Sequence, residues 1–132
     1  MSTNPNIKNT QRPLSPHLQI YKPQITSVMS IFHRITGVGI ALSLVFFVWF
    51  LIALADGVDS YNCFRLFLVS IVGKLTVFAV VIGLYYHLFN GIRHLLWDAG
   101  HGYKIDCVTR SGITVLILTG IFSLFTVFSL AI

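Results

Sequence analysis

The sequence predicts an all-α integral membrane protein, a bundle of three spanning helices with its N-terminus on the cytoplasmic or matrix side. Of its 132 residues, 55% are hydrophobic and only 10% charged, whereas a soluble domain carries about a quarter charged residues. Mean hydropathy is +0.82. The apolar residues gather in three runs, each reaching the length of about 20 helical residues that crosses a hydrocarbon core. All four prolines (Pro5, Pro13, Pro16 and Pro23) precede the first run.

Residues 1–25 therefore read as a non-helical tail or arm over the cytoplasmic surface, since proline removes a backbone donor and restricts the residue before it. This polar segment has no apolar h-region and no small-residue cleavage site, so no cleavable signal peptide is expected. The anchor domain then fills residues 26–132. Its first run is GVGIALSLVFFVWFLIALA, Gly37 to Ala55, extended backward as helix to about Thr26. The second covers about 67–98 and is interrupted by Lys74 near its start. The third, SGITVLILTGIFSLFTVFSLAI, covers 111–132.

Orientation follows from the lysines and arginines in the short flanks. Lys8, Arg12, Lys22 and Arg34 flank the first span, and Lys104, Arg110 and the edge residue Arg93 flank the loop between the second and third. The loop between the first and second spans offers Arg65, with Lys74 just inside. This bias puts the N-terminus and the second loop on the cytoplasmic or matrix side. The net charge of +5 is dispersed, without a basic run, so nucleic acid is not an expected partner. Cys63 and Cys107 lie in separate polar segments without CxxC spacing, which points away from a disulfide scaffold or a zinc site.

HLFNGIRHLLWDAGHGY, residues 87–103, carries the chemistry of the second span. At about 100° per residue, Gly83, His87, Asn90, Gly91, His94 and Asp98 share one stripe. Ionisable groups in a membrane helix are costly and by default face the bundle interior and mark a site; a polar helix–helix contact is the plainer alternative. His87 is the deepest, about 15 Å of helix from the interfacial Trp97–Asp98 pair. A neutral imidazole at that depth needs a strong partner, and haem iron is one. His87 and His94 are about 10.5 Å apart along the axis, too far to ligate one metal. The chain has no glutamate, so carboxylate-bridged metals have little to hold them. One haem with one axial histidine from this chain is the simplest fit. His33 and His94 are expected nearer the interface, and Gly91 is expected to leave room for the edge of the porphyrin.

A second constellation opens the first span, ITSVMSIFHRITG, in which Ser27, Ser30, His33, Arg34 and Gly37 share a stripe about 120° wide. Two hydroxyls and a permanent cation there suit a carbonyl head group or a carboxylate. The alternative is a topology-anchoring arginine and an N-cap serine.

RPLSPHLQIYKP, SIFHRITG and HLFNGIRHLLWDAGHG together resemble the signatures of the cytochrome b subunit family of succinate dehydrogenase, the larger membrane anchor of respiratory complex II. The similarity runs from about Arg12 to Tyr103 and continues as a matching third span. The resemblance implies that His87 is the axial ligand of haem b, and that Ser30 and Arg34 bind ubiquinone. It implies that His33, Arg34 and His94 lie near the haem propionates. It further implies that a second membrane anchor subunit shares the haem, beside an iron–sulfur subunit and a flavoprotein that oxidises succinate. The chain itself has no nucleotide fingerprint and no cysteine set for an iron–sulfur cluster, so no catalytic residue is expected on it alone. An anchor of a fumarate reductase-type complex and a non-catalytic membrane adaptor are the alternatives. A bacterial inner membrane is the expected location, with the mitochondrial inner membrane as the alternative, because no Arg-rich transit peptide is visible.

Overall fold

A computed structural model describes residues 22–131 of the chain. Most of the expected N-terminal arm, with Lys8 and Arg12, lies outside those residues. Four helices follow one another: α1 Ile25–Asp56, α2 Val58–Val69, α3 Ile71–Asp98 and α4 Ile105–Ala131. Three of them are long and apolar enough to cross a membrane, over Ile25–Asp56, Ile71–Asp98 and Ile105–Ser129. The described residues hold no strand.

α1 starts directly after Pro23 and the extended Gln24. It stops at Gly57, whose φ of 114° is open to glycine and strained for other residues. α2 begins at once, and the Ser60 hydroxyl donates to the Asp56 carboxylate across the joint. Phe64 and Phe67 of α2 pack on Trp49 at ring distances of 5.0 and 5.2 Å, and Phe67 stacks on Phe46 at 5.6 Å.

The second span departs from expectation. It begins at Ile71 rather than near Phe67, because Ser70 leaves the helical conformation (ψ 158°) and caps α3 by accepting from the Gly73 N–H at 3.1 Å. The tight joint depends on Gly73: a Cβ there would lie 2.0 Å from the Phe67 carbonyl oxygen and 2.8 Å from the Leu68 Cα. Hydropathy cannot see this break, because residues on both sides are apolar. The last helix likewise begins at Ile105 rather than Ser111, since the polar turn before the apolar run is itself helical, with Asp106 near the positive end of the dipole.

α3 runs antiparallel to both α1 and α4. On α1 the pairing passes from Met29 beside Arg93 to Thr36 beside Gly83. On α4 it passes from Ser111 beside Arg93 to Thr126 beside Tyr85. The core where all three meet is small: Met29, Tyr86 and Val115, flanked by Ile25 and Phe89. The Tyr86 hydroxyl donates to the Met29 carbonyl at 2.8 Å, tying α3 to α1. Large apolar side chains stand exposed along the helices, among them Val45, Leu51, Leu75, Leu95 and Phe125. Such a surface suits lipid or partner helices, not water.

Candidate functional site

α1 and α3 each carry a histidine followed four residues later by a glycine: His33 and Gly37 on one, His87 and Gly91 on the other. The antiparallel crossing sets each histidine against the other helix's glycine. A Cβ at Gly37 would stand 3.1 Å from His87 Cε1, and one at Gly91 would stand 3.7 Å from His33 Cε1. The two imidazoles fill the space that the missing side chains leave. They stack with centroids 4.0 Å apart and planes inclined by 9°. His94 approaches His33 at 5.3 Å and meets the Trp97 ring edge-on at 5.1 Å.

The register sets His33 opposite Gly91, one turn nearer the start of α1 than Gly37, which faces His87. The space beside Gly91, expected to be left for the edge of a porphyrin, holds the His33 ring. The two imidazoles lie face to face, an arrangement in which they cannot ligate one metal from opposite sides.

The hydrogen bonds of His87 decide its tautomer. Its Nδ1 lies 3.2 Å from the His33 carbonyl oxygen and 3.4 Å from Thr36 Oγ1. A carbonyl only accepts, so Nδ1 carries the proton and donates. The lone pair then resides on Nε2, which takes no hydrogen bond from the described residues. Unlike His33 Nδ1, it is not sealed away without a partner. An imidazole held by a carbonyl at one nitrogen and open at the other is the usual form of a metal-ligating histidine. Among the described residues, no three His, Cys, Asp or Glu side chains gather as a metal-holding set.

The α3 stripe divides. Gly83, His87, Gly91 and His94 face α1, Asn90 is fully buried, and Asp98 is exposed. On α1, Ser30 is half-buried and Arg34, one turn on, is exposed and unpaired among the described residues. They continue the helix surface beyond His33 and Gly37, away from the side on which Met29 meets α4.

Sequence reasoning treated Arg93 only as a flanking charge. It is 4% exposed, and its guanidinium joins all three long helices. Nε donates to Ser111 Oγ at 3.0 Å, Nη2 to the Val108 carbonyl at 3.0 Å and Nη1 to Asn90 Oδ1 at 3.3 Å. Nη1 also lies 3.7 Å from the Met29 sulfur, and the group sits 4.1 Å over the Trp97 ring. Asn90 three residues before and Trp97 four residues after, on the same face as Arg93, were the signal available in the sequence.

The model of the succinate dehydrogenase/fumarate reductase transmembrane subunit family matches residues 8–127. The succinate dehydrogenase cytochrome b560 subunit of Reclinomonas americana is 44% identical over 121 residues, 88% of this chain and 84% of that protein. The cytochrome b556 subunit of Rickettsia bellii is 42% identical over 118 residues, covering 86% of this chain and 89% of its own length. The human mitochondrial cytochrome b560 subunit is 40% identical over 120 residues, 88% of this chain and 69% of that protein.

Proposed function

Because this chain belongs to the succinate dehydrogenase/fumarate reductase transmembrane subunit family, we propose that it is the haem b-binding membrane anchor of a succinate:ubiquinone oxidoreductase. The observation that carries this reading is the state of His87, fixed at Nδ1 by α1 and open at Nε2. His87 would hold the haem iron from this chain through Nε2, and a second membrane anchor subunit would share the haem. When bound, the haem supplies a one-electron carrier within the membrane part of the complex. His33, Arg34 and His94 would hold its propionates.

Ubiquinone meets Ser30 and Arg34. The Ser30 hydroxyl donates to a quinone carbonyl, and the Arg34 guanidinium presents a planar fork of donors to a quinone oxygen. Both favour the negative charge that develops on that oxygen during reduction. Arg34 is free for this, since no acid among the described residues claims it. Succinate oxidation and electron delivery belong to the flavoprotein and iron–sulfur subunits, docked on the cytoplasmic or matrix side where α1 begins. The membrane is a bacterial inner membrane or the mitochondrial inner membrane.

Spectra of the complex purified from membranes test the reading. The parent should show a b-type band in the reduced-minus-oxidised spectrum. His87→Leu should abolish or shift the low-spin signal, whereas His94→Leu should keep a six-coordinate haem with an altered midpoint potential. His33, stacked at 4.0 Å, is the nearest substitute ligand, so the spectral form rather than haem content is decisive. Loss of axial ligation in His94→Leu with retention in His87→Leu overturns the assignment.

A further inference from the structure

We infer that Thr36 is a positioning residue for His87: its hydroxyl oxygen, together with the His33 carbonyl, fixes the imidazole tautomer and sets its strength as a metal ligand. The inference rests on the haem reading above and adds to it a residue of SIFHRITG to which no role has been given so far.

The proton count around Thr36 carries the argument. Its hydroxyl has one proton and two carbonyl acceptors in reach, Phe32 O at 2.8 Å and His33 O at 3.0 Å. Whichever it chooses, that proton is spent within α1, and what Oγ1 turns to His87 is a lone pair. The His87 Nδ1–H therefore meets two acceptors, Thr36 Oγ1 at 3.4 Å and the His33 carbonyl at 3.2 Å. The His33 carbonyl alone leaves this proton with an acceptor shared with the helix and with Thr36 itself.

Packing holds the hydroxyl in place. The Thr36 methyl faces Gly83, where a Cβ would stand 3.9 Å away, and the neighbouring Gly37 lets the His87 ring come close. Acceptors at Nδ1 raise the basicity of a metal-bound imidazole. A more basic ligand favours ferric over ferrous iron, so Thr36 holds the midpoint potential down.

Thr36→Val removes the oxygen and keeps the shape, while Thr36→Ser keeps the oxygen and removes the methyl. Both are compared with the parent in purified complex by redox titration of the haem and by low-spin ferric electron paramagnetic resonance. Thr36→Val should shift the ferric-to-ferrous preference about threefold toward ferrous, a rise of about 28 mV at 59 mV per tenfold for one electron. Its ferric g-values should shift as well. Thr36→Ser should stay near the parent in both. A purely packing role predicts the reverse order, because serine loses the methyl that valine keeps, and that order overturns the inference. So does an unchanged potential and spectrum in Thr36→Val. If the valine variant does not assemble, Thr36→Ala is judged by the same criterion. Absence of a b-type band in the parent, or a low-spin signal neither lost nor shifted in His87→Leu, would instead fail the haem reading, and this inference with it.

Discussion

Arg93 should tolerate methionine better than lysine. The side chain is 4% exposed and has no carboxylate partner among the described residues; its compensation comes from Ser111, Val108, Asn90 and the Trp97 face. Hydrogen bonds to a charged group contribute about 1.5–3 kcal/mol each, so three give about 5–9 kcal/mol gross. Against that stands a desolvation cost of several kcal/mol for the buried ion. Arg93→Met removes both sides of this balance. What remains is the Asn90 amide, whose Nδ2 already lacks a partner and whose Oδ1 then loses its own. That unsatisfied group costs about 1–3 kcal/mol. Ser111 keeps its bond to the Val108 carbonyl at 3.0 Å. Arg93→Lys keeps the charge but offers a compact ammonium, which cannot reach across α4 and Asn90 with one planar fork. A buried charge left short of partners costs about 3–5 kcal/mol. Thermal unfolding of the purified complex in detergent, followed by release of this chain, should rank parent, methionine, lysine in falling stability. A lysine variant as stable as the parent, or more stable than methionine, refutes the reasoning.

Two further outcomes are expected. Arg34→Lys should leave the complex assembled with its haem while succinate–quinone activity falls more than tenfold, a loss of about 1.4 kcal/mol or more of transition-state stabilisation; unchanged activity would reduce Arg34 to a topology anchor. Gly73→Ala should lower accumulation of the chain in membranes by immunoblot, because both atoms it strikes closest belong to backbone, whereas Gly39→Ala and Gly120→Ala, which meet nothing within 4 Å, should not.

The three spans were legible because lipid imposes a strong composition on about 20 residues at a time. The break at Ser70 was not. It depends on one side-chain cap and one missing Cβ inside a run that stays apolar on both sides. At the site, both histidine–glycine pairs were visible as residues on stripes. Their reciprocal fit was not, because periodicity assigns a face to each helix without fixing the register between helices. That register sets His33 against Gly91 and His87 against Gly37. The burial of Arg93 was not legible for a related reason: flanking arginines anchor topology by default, and its burial arises only where α4 folds back over α3.

The division of the α1 surface follows from the same packing. Met29 and Ile25 meet Gly112 of α4, and Gly37 and His33 meet α3. Beyond them on α1, in the same rotational direction, stand Ser30 and Arg34, which α4 does not reach. On α3, Leu88, Ile92 and Leu95 are also uncovered. A lone guanidinium beside apolar side chains is a poor surface to leave to hydrocarbon, and the shared core of Met29, Tyr86 and Val115 has nothing with which to cover it. Under the proposed reading this flank is one wall of a site whose other walls belong to partner subunits. The internal arginine, Arg93, is fully engaged by its own chain and holds the wall together. The outer one, Arg34, is left free for what the partners enclose against it.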